Sequence, residues 1–123
     1  MTTTIEQHIR DLSRRLAIQP QPVGDEQYVR VSERATSAPS VVGVRSPDTD
    51  PFTGWIVVAT SETPAQARFL VYSVRELLAE HPAWQLGLQL PVGWAFRFVG
   101  NTLLDCVSET GETHDVRISV DRA

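Results

Sequence analysis

The chain has 123 residues, 41% apolar and 21% charged, with a net charge of -4 at pH 7. That size and composition suit one domain around a single core, and they exclude wholesale disorder. All 11 basic residues are arginine and form no basic stripe, so a nucleic-acid partner is not expected.

The first element reads as a helix over residues 4–18. Ile5, Ile9, Leu12 and Leu16 recur at spacings that place them on one face, and Thr3 with Glu6 has the form of a capping box. Glu6, Arg10, Asp11, Arg14 and Arg15 make the solvated face, and Gln19-Pro20-Gln21-Pro22 ends the helix. Gln27–Ser32 is a strand candidate with Tyr28, Arg30 and Ser32 opposite Val29 and Val31. Val41–Arg45 is a second, in which Gly43 marks a bulge or a close backbone approach. Ser46-Pro47-Asp48-Thr49-Asp50-Pro51 is a turn, with two aspartates able to accept local backbone bonds. Gly54–Thr60 follows as a third strand, its Ile56-Val57-Val58 run suited to burial on both faces.

Thr63-Pro64-Ala65-Gln66 has the form of a helix start, and two continuations compete. One carries a helix unbroken to Glu80; the other breaks near Phe69, extends to Tyr72 and restarts at Ser73. The capping box Ser73-Val74-Arg75-Glu76 favours the break, and His81-Pro82 ends the helix either way. Trp84, Leu86, Leu88 and Leu90 recur at alternate positions before a turn at Pro91 and Gly93. Trp94, Phe96 and Phe98 then alternate with Ala95 and Arg97 as a half-buried strand. Leu103–Val107 and Val116–Val120 read as a hairpin within residues 103–120, joined by the polar loop from Ser108 to Thr113. The expected fold is α+β, an antiparallel sheet of about five or six strands with two or three helices packed against it.

No catalytic constellation is apparent. Asp48, Asp50 and Glu62 flank the third strand at its two ends; brought together, they would suit a cationic side chain or a hard metal, but their spacing matches no ion loop. His8, His81 and His114 are scattered without zinc-ligand spacing, and His114 and Asp115, adjacent on a strand, point to opposite faces. Cys106 is the only cysteine, so no internal disulfide forms, and its apolar neighbours predict a buried, inert thiol. No GxSxG elbow or phosphate-cradling glycine loop is present, so neither cofactor nor metal is expected. Of the three tryptophans, Trp55 and Trp94 are expected in the core, and Trp84, in a turn after Pro82, is expected at the surface. The start, MTTTIEQHIRDL, is not a secretory signal, and no stretch nears the roughly 18 apolar residues that span a bilayer. A cytoplasmic protein without membrane contact is the expectation.

Two Gly-Trp pairs, Gly54-Trp55 and Gly93-Trp94, bracket the central region. The acidic turn leading into the first, Asp48-Thr49-Asp50-Pro51-Phe52-Thr53-Gly54-Trp55, is followed by Ser61-Glu62. Next come Tyr72-Ser73-Val74, the helix-ending His81-Pro82, and Pro91-Val92-Gly93-Trp94-Ala95-Phe96. In order and spacing these phrases resemble the Imm33 family of bacterial immunity proteins, also described as DUF2185, over about residues 39–98. The N-terminal helix and C-terminal hairpin lie outside that match. The resemblance implies an inhibitor that neutralises a cognate toxin or effector protein by occlusion, without catalysis. Trp84, Asp48, Asp50 and Glu62 are its candidate contacts, chosen because they fall in turns. The competing readings are a non-catalytic binding module or accessory subunit that forms a homodimer through a sheet edge, and a small enzyme using Asp48, Asp50, Glu62 or His81.

Overall fold

In the computed structural model, which describes residues 4–120, helix α1 (Ile5–Leu16) is started by Thr4. Thr4 Oγ1 accepts from Gln7 N–H at 3.2 Å, and Gln7 Oε1 accepts from Thr4 N–H at 3.1 Å. The box therefore lies one residue beyond the expected Thr3–Glu6 pair, of which Thr3 falls outside the described residues; glutamine closes it as well as glutamate would. The helix stops at Leu16 because Ala17 is left-handed (φ 53°) and returns its N–H to the last turn, ahead of both prolines.

Seven strands follow: β1 (Tyr28–Ser32), β2 (Ser40–Arg45), β3 (Phe52–Ala59), β4 (Phe69–Ser73), β5 (Ala95–Val99), β6 (Thr102–Val107) and β7 (Thr113–Ser119). They form one sheet in the order β4-β1-β3-β2-β5-β6-β7. The expected five or six strands become seven because the extended segment at Phe69 joins the sheet as its edge, against β1. Every neighbouring pair is antiparallel except β1 and β3, where the β2–β3 hairpin folds back and lays β3 parallel to β1. The helix break is real: Ser73 Oγ accepts from Glu76 N–H at 3.1 Å and caps α2 (Val74–Glu80). Thr63–Ala67 forms turns rather than the expected helix start. Trp84 to Leu90, despite their alternation, lie in and just beyond a 3-10 turn (Pro82–Trp84) and the short helix α3 (Gln85–Leu88). They are buried because these tight turns are enclosed by neighbours on every side.

The helices share one face of the sheet. Leu12, Leu77, Trp84, Leu86 and Leu88 pack there on Val29, Val31, Trp55, Val57, Phe96, Phe98, Leu103 and Cys106. Phe96 is the wedge between layers. A Cβ at Gly43 would collide with its ring, and one at Gly87 would lie 2.7 Å from it, so both positions require glycine for α3 to sit this close to β2. The close approach expected at Gly43 is thus present.

Both Gly-Trp pairs converge on Arg45, which is only 8% exposed. Its Nε donates to Thr53 O at 3.0 Å, and its Nη1 donates to the carbonyls of Gln21 and Leu90 at 2.8 Å each. Arg45 pairs with Trp55 across the β2–β3 ladder, and its backbone exchanges bonds with Gly93 and Trp94. Gly54 (φ 89°) brings its Cα against Ser46 O, an approach no side chain permits. No carboxylate among the described residues pairs with Arg45; three carbonyl dipoles solvate it, and burial lowers its pKa from the ordinary arginine value. Arg45→Ala would orphan three carbonyls and is expected to lower stability by about 3 kcal/mol or more, read as a fall in urea midpoint. Arg45→Lys should recover little, because an ammonium cannot span the fork.

Candidate functional site

The face of the sheet opposite the helices carries no helix among the described residues. Its side chains follow from strand alternation. Across the strands run Val71, Arg30, Ile56, Val44, Ala95 and Val107, each directly opposite the next. Val71 is 54% exposed, Val99 46% and Val44 42%, and Tyr28 adds an exposed ring. These exposed apolar residues are interspersed with Arg30 and Arg97 along the face.

One end of this face has a defined arrangement. The Arg30 guanidinium lies over the Phe52 ring at 4.0 Å and donates to Asp48 Oδ2 at 2.8 Å. Tyr28 packs on the same ring, with centroids 5.7 Å apart. Gln27 Nε2 donates to Asp50 Oδ1 at 2.9 Å, which ties the acidic turn to the start of β1. Asp48 also accepts from Thr49 N–H at 2.8 Å. The hydrogen bond from Arg30, and after it the one from Thr49, holds the Asp48 carboxyl below the ordinary aspartate value. The cluster presents a cation, a carboxylate and two aromatic rings within one patch. A second charged pair, Arg97 with Asp105 at 2.7 Å, lies farther along the same face.

Asp48 and Asp50 thus share this end, and Glu62 does not. Glu62 follows β3 at its far end, and eight residues of strand separate the two by roughly 26 Å. There Glu62 faces Arg34 at 3.8 Å with a side chain only 5% exposed, and it accepts from Ala59 N–H. The three carboxylates therefore do not come together, and no group of three or more His, Cys, Asp or Glu able to hold a metal occurs among the described residues. The expected exposure of Trp84 is also corrected. It is 3% exposed, its ring stacked on His81 at 4.1 Å, because the 3-10 turn rolls it inward. His8, His81 and His114 sit on separate elements, and His114 packs on Trp94 at 5.7 Å.

Sequence reasoning separated Tyr28 and Arg30 from Val29 and Val31 but gave them no role. Alternation showed that they face away from the core, whereas their neighbours depend on strand order.

A model of the Imm33-like domain matches residues 8–109. The chain belongs to the Imm33-like family. The match extends well beyond residues 39–98 and takes in most of α1, β1 and β6. No curated protein and no solved structure gives a significant match. On this Imm33-like chain, the phrases that carry the likeness divide in two: the Gly-Trp segments surround Arg45, and the acidic turn reaches the open face.

Two outcomes are expected. By carboxyl NMR, Asp48 should titrate below the ordinary aspartate value of about 3.9, and Arg30→Gln should move it up. Because the folded pKa is depressed, the stabilisation is present above the unfolded value and is lost as pH falls through the folded one. Cys106 is fully buried and its thiol is pushed up to about 12, first by burial and then by Asp105. It should resist thiol reagents at pH 8 in the native state and react fully on unfolding.

Proposed function

We propose that this Imm33-like protein is an immunity-type inhibitor that binds a cognate toxin in the cytoplasm and neutralises it by occlusion, without chemistry of its own. The observation that carries this reading is the helix-free sheet face on a chain of this family. That face offers apolar strand residues for desolvation and the Tyr28, Phe52, Arg30 and Asp48 cluster for orientation. Asp48 and Asp50 remain proposed contacts. Trp84 and Glu62 do not, since neither side chain has surface to offer.

Occlusion requires area, shape and a few desolvated anchors, all of which a rigid sheet supplies without moving. The opposed charges of Arg30 and Asp48 suit a mixed polar surface, and a partner that displaced one would have to supply its replacement.

A second reading is a non-catalytic module that self-associates through a sheet edge. The uncharged edge strand β4, with Leu70 and Val71 both exposed, favours it. The two readings share Val71, which belongs both to the open face and to this edge, and otherwise use different residues.

The test is capture from the source cells with the tagged protein, followed by co-expression of the captured polypeptide. Stoichiometric capture of one polypeptide, whose toxicity this protein relieves, is expected. Tyr28→Ala and Asp48→Arg should each weaken that complex by about 2 kcal/mol, read by calorimetry. Binding unchanged by both substitutions would remove the open face from the interface. A captured polypeptide whose toxicity is not relieved would sink the inhibitor reading.

A further inference from the structure

We infer that a second copy of this chain docks on the β4 edge, in an antiparallel twofold pairing centred on Leu70. This deepens the self-association reading and rests on it; it is independent of the inhibitor reading.

The argument begins with the ladder between β1 and β4. Glu33 N–H bonds to Arg68 O, and Val74 N–H bonds to Gln27 O, bracketing a register in which Val31 faces Leu70 and Val29 faces Tyr72. In an antiparallel pair, hydrogen-bonded positions alternate with non-bonded ones. Arg68, Leu70, Tyr72 and Val74 therefore direct their backbone groups at β1. Phe69 and Val71 direct theirs outward, along the edge of the sheet.

Beyond Val71 the edge is closed. Ser73 N–H is taken by Glu76 Oε1 at 3.1 Å, and Ser73 is the N-cap of α2, where its carbonyl accepts the first helical bond. Only two residues, with two donors and two acceptors, remain to be paired. A partner strand must match that short set. A second β4 does so when Leu70 lies on the twofold axis: Phe69 faces Val71 of the second copy, and Val71 faces its Phe69. All four outward groups of each strand then exchange bonds, and no other twofold register pairs them all.

The side chains agree with this register. Leu70, 41% exposed, would meet its own copy at a non-bonded position, where side chains approach most closely. Val71 would be covered by the phenyl ring of the second Phe69 on the open face. The strand is uncharged, without proline or an internal register shift, so its shortness is the one usual protection of an edge that it has. The charges at its ends are complementary. Arg68, with an 85% exposed side chain, would lie across from Tyr72 of the second copy, next to the position where Glu76 caps Ser73. The twofold makes this Arg–Glu approach twice.

Sedimentation analysis of the full chain at concentrations up to about 100 μM tests the pairing. A reversible dimer of twice 13.7 kDa is expected, weakened more than about tenfold by Leu70→Lys, with circular dichroism confirming that the variant is folded. Cysteine cross-linking then reads the register. Leu70→Cys should form a disulfide-linked dimer on mild oxidation, since Cα atoms at a non-bonded position lie about 4.5 Å apart. Val71→Cys should not, because in this register the two copies of residue 71 are diagonal neighbours about 7–8 Å apart. Native Cys106 is buried and does not interfere. A monomer throughout would overturn both the pairing and the self-association reading. A dimer indifferent to Leu70→Lys, or one that cross-links through Val71→Cys and not Leu70→Cys, would overturn this register and leave self-association standing.

Discussion

A buried guanidinium, paired with no carboxylate among the described residues, holds this fold together. Arg45 is at the end of β2, where three other chain segments meet, around residues 21, 53 and 90–94. It donates to Gln21 in the linker after α1, to Thr53 at the start of β3 and to Leu90 beyond α3, while its own backbone binds Gly93 and Trp94. A charge in that position is expensive unless every donor is directed at an acceptor. Arginine suits the site because its planar fork reaches several carbonyls at fixed angles, and the segments that supply them must be in place for the charge to be tolerated. The requirement works in both directions: the segments position the guanidinium, and the guanidinium fixes their spacing.

This explains the composition of the central region. A glycine precedes Trp55 and Trp94 because the backbone must pass close to a neighbour with positive φ, at Ser46 for Gly54 and at Glu109 for Gly93. Trp55 then lies near the guanidinium, 5.7 Å from ring to Arg45 Cζ, and its indole N–H is satisfied by Leu88 O at 3.1 Å. Phe96 fills the space that Gly43 and Gly87 leave open. The two Gly-Trp phrases therefore describe the interior, where they join the sheet to the helices.

The open face follows a different logic. Its residues come from strands that alternate inward and outward, and each outward residue is constrained only by its cross-strand neighbours. Arg30 is the exception, held by Asp48 and by the Phe52 ring. On the inhibitor reading proposed above, that ordered cluster would set orientation and the exposed apolar strand residues would supply desolvation. The edge at β4 adjoins this face at Val71. It presents backbone groups, and its specificity would come from register rather than from side-chain chemistry.

Much of the local structure was legible because it depends on neighbours in sequence. The spacing of Ile5, Ile9, Leu12 and Leu16, the Ser73–Glu76 box that breaks the middle helix, and the alternation of Trp94, Phe96 and Phe98 each involve contacts within a few residues. Alternation failed for Trp84 to Leu90, because apolar residues at every second position also suit a helical segment enclosed on all sides. The surface role expected of Trp84 failed for the same reason: a turn is exposed only when nothing packs over it. The carboxylates show the boundary most directly. Asp48, Asp50 and Glu62 sit within fifteen positions of one another, yet an extended strand keeps Glu62 away, and strand order delivers Arg30 to Asp48 instead. By itself, the sequence determined which residues turn inward along α1 and along strands such as β1 and β5. Tertiary structure alone decided which elements became neighbours, because strand pairing is made by backbone groups that every residue but proline carries in the same form.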